Sequence, residues 1–130
     1  LPRPEHLAVA ELLVRKASAD LAAARTLAAD PEQADEVVGF HVQQAVEKAL
    51  KAVLAANAIE VPRTHDLTFL IELAEDASIV TPISLDDADR LTPWAVTTRY
   101  DDIAEGLDRE EAVGLAAASV AWAAALLARP

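Results

Sequence analysis

Four side chains on one short stretch could do chemistry together: His41, Gln44, Lys48 and Lys51. On a helix they fall within a stripe about 80° wide. Two lysines one turn apart hold a phosphate as point charges. Gln44 offers an amide to a base edge or a phosphate oxygen. His41 can donate, accept or transfer a proton. A plainer reading stands beside this one. The stripe is then a solvated helix face, with Glu47 and Lys51 as an i, i+4 pair worth roughly 0.2–0.5 kcal/mol. Gln43 and Glu47 sit on the shoulder between the polar stripe and the apolar face of Val38, Val42, Ala45, Val46, Ala49 and Val53.

Two further clusters follow along the chain. Arg63, His65 and Asp66 read either as a helix cap, with His65 leaning on the Asp66 carboxylate, or as a helix start that receives an anion. Arg99-Tyr100-Asp101-Asp102 reads either as a loop pinned by Arg99 to Asp102 or Glu47, or as a phosphate fork with Tyr100 as a stacking surface. The histidines are His6, His41 and His65 alone, without His-x-x-x-His or His-Glu-x-x-His spacing, so no metal site is expected. There is no Gly-rich phosphate loop and no serine elbow, and no cofactor is expected.

These groups must be positioned by helices. Leu7, Ala10, Val14, Ala17, Leu21, Ala24 and Ala28 alternate at steps of three and four, a seam that predicts one long helix ending at Asp30-Pro31. A second helix is predicted from Pro31 or Asp35 to Asn57, with Asn57 as a left-handed C-cap. Gly39 costs this helix about 1 kcal/mol against alanine, and the close approach of another backbone is the expected reason. Thr64 or Asp66 caps a third helix, whose buried face is Leu67, Leu70, Ile71 and Ala74. That helix closes on Glu75-Asp76, against the macrodipole, so its end is expected to fray. Ser84 with Asp87 opens a fourth helix, which Pro93 kinks or ends, with Trp94 and Val96 filling the core beneath. Residues 97–106 read as irregular. Asp108 with Glu111 opens a last helix to Ala128, read as buried, with Gly114, Ala118 and Ala121 as its small-residue face. The fold class is all-α: an antiparallel, up-and-down bundle of four to five helices in a single domain, 1–130.

At this point the residues resemble a known family. Phe40-His41-Val42-Gln43-Gln44-Ala45-Val46-Glu47-Lys48-Ala49-Leu50-Lys51-Ala52 is similar to the signature helix of HEPN domains (higher eukaryotes and prokaryotes nucleotide-binding). Arg63-Thr64-His65-Asp66-Leu67 is similar to that family's Thr-His-Asp-Leu turn. Thr98-Arg99-Tyr100-Asp101-Asp102 is similar to its Arg-Tyr-Pro-Asp segment, with Asp101 in place of proline. The resemblance implies a helical nucleotide- or RNA-associated module, often dimeric and often encoded beside a small nucleotidyltransferase in a toxin–antitoxin-like pair. Its ligand residues would be His41, Gln44, Lys48, Lys51, Arg63, His65, Arg99 and Tyr100, with Gln43, Glu47, Asp66 and Asp102 as structural members. Many HEPN proteins are metal-independent ribonucleases with an arginine followed, after four to six residues, by a histidine. This chain lacks that spacing: Arg63 meets His65 after one residue, Arg3 meets His6 after two, and no histidine follows Arg90 or Arg99. The reading is therefore a binding subunit with no catalytic residue. Two alternatives remain: a ribonuclease toxin with a non-standard site, and a dimerisation scaffold without ligand.

Composition narrows the partners. Hydrophobic residues make up 53% of the chain but aromatics only 4%, so much of the apolar content is alanine, a helix former. With no cysteine, disulfides and thiolate metal sites are excluded, which suits a cytoplasmic protein. A net charge of −11 disfavours non-specific nucleic-acid binding over the whole surface, and suits docking on a basic partner. The uncharged run 112–128 falls just short of a bilayer span and is diluted by Gly114, Ser119 and many alanines, so no membrane partner is expected.

Overall fold

The computed structural model describes residues 4–95 and 106–129. Val96, Arg99, Tyr100, Asp101 and Asp102, which the sequence singles out, lie outside the described residues. Among those described, all regular structure is helical: α1 (Pro4–Ala28), α2 (Asp35–Ala56), α3 (Leu67–Asp76), α4 (Leu85–Leu91), a 3₁₀ turn (Thr92–Ala95) and α5 (Arg109–Leu127). The three long helices pack against one another, and α2 also carries α3 and the 3₁₀ turn. The α1 seam is realised at Ala10, Ala17, Leu21 and Ala24, which are buried, while Leu7 at its start is half-exposed. Small side chains here let the axes approach closely. The wider spaces are filled from α2 and α3 by Leu50, Leu54, Leu67, Leu70 and Ile71.

One arginine holds the lower end of the bundle. Arg109, the first residue of α5, donates through Nη1 to the carbonyls of Leu27 (3.4 Å), Ala28 (3.2 Å) and Asp30 (3.0 Å). Its Nη2 donates to the Gln33 carbonyl, and its Nε to Asp35 Oδ1 at 2.8 Å. The other Asp35 oxygen accepts from the Leu107 backbone at 3.2 Å. The last carbonyls of α1 have no partners within their own helix, and this guanidinium supplies donors to them. The end of α1 and the starts of α2 and α5 therefore meet at one point.

Two helices end in the same way. Ile59 donates to Leu54 (2.9 Å) and Ala58 to Ala55 (3.0 Å), and Ile79 donates to Ala74 (2.9 Å) and Ser78 to Glu75 (2.8 Å). Each is a Schellman closure, with Ala58 and Ser78 taking the left-handed residue at φ 58° and 61°. The left-handed position after α2 is thus Ala58 and not Asn57, whose φ is −95°. The end of α3 is closed by this motif despite its acidic residues. Ser84 and Asp87 form a complete capping box on α4. Burial pushes the Asp87 carboxyl up, but bonds from the Ser84 backbone and hydroxyl and from Arg90 outweigh it and leave it below its ordinary value.

Gly39 is explained by a side chain and not, as expected, by a backbone. A Cβ there would lie 2.5 Å from two ring carbons of Trp94, which is 5% exposed. The α5 helix also departs from expectation. It buries Ala112, Ala116, Ser119, Val120 and Ala123, while Gly114, Ala118 and Ala121 are exposed. It is long and apolar enough to cross a membrane by length and composition, and here it lies along α1 and α2.

Two substitutions test these contacts. Gly39→Ala, which gains about 1 kcal/mol in an open helix, is expected to destabilise this protein by about 1–3 kcal/mol in urea unfolding. Adding Trp94→Leu should remove the clash and shrink the Gly39→Ala effect in a double-mutant cycle. Arg109→Ala is expected to cost about 3 kcal/mol, and Arg109→Lys to recover only part of it, because an ammonium cannot reproduce the fork.

Candidate functional site

The polar stripe of α2 is organised by two carboxylates, and only one of them stood out in the sequence. Asp20, on α1, accepts from His41 Nδ1 at 3.0 Å and from Lys48 Nζ at 2.5 Å. Glu47, on α2 itself, meets His65 Nδ1 at 2.7 Å, Lys51 Nζ at 3.1 Å and Gln43 Nε2 at 3.2 Å. The two centres are not equally deep. The Glu47 side chain is 5% exposed and Asp20 13%, against 29% for His41, 24% for Lys48 and 56% for His65. Each imidazole therefore has a carboxylate on Nδ1. Where that nitrogen carries the proton, Nε2 is left as an acceptor for whatever comes from solvent.

A chain of amides joins the Glu47 centre to the surface. Gln44 Nε2 donates to Gln43 Oε1 at 2.8 Å, and Gln43 Nε2 donates both to Glu47 and to the His65 carbonyl at 2.9 Å. Both partners of Gln43 Nε2 are oxygen atoms, which fixes the amide orientation, and full burial keeps Gln43 away from any ligand. Gln44, in contrast, keeps its carbonyl oxygen. Gln43 and Glu47 are at 0% and 4% exposure, so they are core residues and not shoulder residues. Among the described residues, no buried side-chain polar atom is without a partner. A buried carboxylate with three donors is tolerated at low dielectric for this reason.

The turn before α3 resolves in favour of a cap. Asp66 Oδ1 accepts from Thr68 N (3.0 Å) and Phe69 N (3.4 Å), and Thr92 Oγ1 accepts from Leu67 N at 3.1 Å. The first amides of α3 are thus occupied, and the anion-receiving reading has no free donors there. His65 does not lean on Asp66, as the sequence suggested, but on Glu47. Arg63 is exposed on the same loop.

The site gathers residues from α1, α2 and the loop before α3. Of the expected stripe, His41 and Lys48 meet at Asp20, while Lys51 and, through Gln43, Gln44 are drawn to Glu47, where His65 joins them. Phe40 borders them on the α2 surface, 41% exposed, its ring edge-on to His41 at 5.4 Å between centroids. Phe40, Gln44, Glu47 and Lys51 share a line about 60° wide along the helix. Asp20 was missed. It is one of three acids on α1, without motif or spacing signal, and only the packing register of α1 on α2 brings it opposite His41 and Lys48. Among the described residues, no group of three or more His, Cys, Asp or Glu side chains is arranged to hold a metal ion.

The depth difference gives a prediction. Glu47→Ala is expected to destabilise by on the order of 3 kcal/mol, since it strands Gln43 and Lys51 beside an emptied buried position. Lys48→Ala, at the shallower centre, should cost about 1 kcal/mol or less. Paired urea denaturation curves measure both, and equal costs would contradict the assigned depths.

No curated protein and no solved structure matches the chain significantly. The model of one family does, the HEPN domain, over residues 10–120, a span that includes Asp20, all of α2 and the loop with His65. With most of its length matched by that model, and with all regular structure among the described residues helical, the chain belongs to the HEPN domain family.

Proposed function

We propose that this protein is a non-catalytic HEPN binding module for nucleotide or RNA, working as a homodimer and as the partner subunit of a small nucleotidyltransferase in a toxin–antitoxin-like pair. The observation that carries the binding part is the α2 surface around Phe40. An exposed aromatic ring stands edge-on to His41, Gln44 keeps its carbonyl oxygen free, and the imidazoles of His41 and His65 are held through Nδ1 by Asp20 and Glu47. Aromatic stacking with adjacent cations is what base and phosphate recognition needs, and pre-fixed side chains lower the entropy cost of binding. Arg99 and Tyr100, which lie outside the described residues, belong to the same proposal as a phosphate fork and a stacking surface. The family resemblance and the acidic remainder of the chain support the partner assignment, since an acidic subunit is steered toward a basic one. A cytoplasmic location is part of the same reading.

The non-catalytic assignment rests on the missing Arg-x4-6-His spacing. Transphosphorylation of RNA needs a base for the 2′-hydroxyl and a cation on the phosphate, and Lys48 and Lys51 already have carboxylate partners. That pairing also favours a second reading, in which the stripe only braces the bundle or a dimer seam.

Fluorescence anisotropy with labelled AMP and short RNA separates the two. Binding that weakens about tenfold in Phe40→Ala, with an unchanged melting temperature, supports the module. If no nucleotide or RNA binds at micromolar concentration, the bracing role is what remains. RNA incubated with the protein is expected to stay intact.

A further inference from the structure

The stripe repeats one arrangement. Asp20 accepts from Lys48 Nζ at 2.5 Å and faces His41 Nδ1 at 3.0 Å. Glu47 accepts from Lys51 Nζ at 3.1 Å and faces His65 Nδ1 at 2.7 Å. In each unit the lysine cancels the carboxylate, so the net charge of the unit is that of its histidine. With both imidazoles neutral the stripe carries no net charge, on a chain whose balance is −11, and an anion is not drawn to it. With both protonated it carries two positive charges. Histidine makes this change between about pH 5 and 8.

The proton has a fixed address. Nδ1 is turned to the carboxylate in both units, so the added proton goes to Nε2, which changes from acceptor to donor as the charge appears. Both rings reach solvent, His65 more than His41. Among the described residues, the other charged groups of the surrounding elements leave this balance in place. On α1, Lys16 is exposed one turn before Asp20. On α2, the remaining acids Asp35 and Glu36 stand in the first turn, with Asp35 bound to Arg109. On the loop before α3, Glu60 and Arg63 are exposed, and Asp66 gives one oxygen to the amides of Thr68 and Phe69. The first turn of α3 holds no acid. On α4, Asp89 accepts from the Thr68 hydroxyl and Asp87 is bound to Arg90. The α5 helix carries its charges in its first turn, where Arg109 holds Asp35 and Glu111 meets Arg90.

Resting on the binding reading above for the place of the ligand, we infer that the α2 stripe is a proton-gated anion site. It is neutral and holds anions weakly while His41 and His65 are unprotonated. It becomes positive, with two new N–H donors, when each takes up a proton at Nε2. The sign of the coupling follows. An anion binds the protonated form better, so affinity rises as pH falls through the histidine range, and binding in turn draws protons onto the two rings. Lys48 and Lys51 set the zero of this gate: without them each carboxylate would cancel its own histidine, and protonation would bring the stripe only to neutrality.

Titration calorimetry on the full chain tests this with cyclic AMP, whose phosphodiester keeps one negative charge across the range, and with adenosine, which has none. Cyclic AMP is expected to bind about fivefold more tightly per histidine at about pH 5.5 than at about pH 8, the effect of one unit charge near the ligand. Buffers of different ionisation heat should show a net uptake of protons at about pH 6.5. Adenosine should bind alike throughout. His41→Gln and His65→Gln should each remove about half of the response on a logarithmic scale, and His6→Gln, near the start of α1, none. Nitrogen NMR of the wild-type rings reads the same coupling without a substitution: cyclic AMP should keep Nε2 of His41 and His65 protonated to higher pH and leave His6 unmoved. If cyclic AMP binds equally across the range with no proton uptake, or if adenosine shows the same response, the gate is overturned while the binding module stands. If neither compound binds at any pH, both readings fall.

Discussion

The arrangement on α2 depends on one buried carboxylate. Glu47 sits in the middle of the helix that contacts α1, α3, α5 and the 3₁₀ turn. Removing its charge from water is costly, and the chain offsets that with Gln43 and Lys51 on the same helix and His65 on the loop before α3. The consequence is positional. Gln43 also grips the His65 carbonyl, so the loop is tied to α2 by backbone and side chain together. From there the chain enters α3 with Asp66 already at the cap position and Thr92 meeting the first amide. A polar requirement in the core thus sets the path of a surface loop, and with it the placement of Arg63 and the His65 ring.

The same accounting of charge changes what the lysines are for. Seen alone, Lys48 and Lys51 look like a phosphate clamp. Opposed by Asp20 and Glu47 they are nearly neutral, and their ammonium groups are held at fixed places. Fixed donors near a neutral surface give orientation more than affinity, because the long-range field has largely been cancelled. Such a site discriminates by shape and hydrogen bonding. The exposed ring of Phe40 and the free oxygen of Gln44 then carry more of the selectivity than the charge does.

Much of this could be read along the chain, because much of it is local. The α2 stripe, the α1 seam, the Asp66 cap and the Ser84–Asp87 box all depend on residues within one or two turns. What the sequence hid depends on tertiary register. Asp20 meets His41 and Lys48 across 21 and 28 residues, Arg109 meets Asp35 across 74, and Trp94 meets Gly39 only after α4 has folded back. None of these leaves a periodic trace. The placement of His65 shows the same limit: a neighbouring Asp66 was the nearest carboxylate in sequence, but its oxygens face the α3 amides, and Glu47 lies closer in space. The left-handed residues were missed for another reason. Schellman closures usually use glycine or asparagine, and here Ala58 and Ser78 accept the strain, about 1–2 kcal/mol each, without announcing it.

The α5 helix shows how composition misleads when alanine dominates. An uncharged run is ordinarily buried, and that was the natural expectation for residues 112–128. Alanine, however, is the strongest helix former and exposes little apolar area per residue, so a helix of alanines holds its conformation with one face packed and the others in water. Here only 28% of the apolar window is buried, yet the helix is anchored at its start by Arg109 and along one side by Ala112, Ala116, Ser119 and Ala123. Its stability then comes from propensity and one anchored end more than from enclosure. Among the described residues, α2 by contrast satisfies its buried Gln43 and Glu47 from its own turns and from the loop before α3 at once, and the described part of the site is built there.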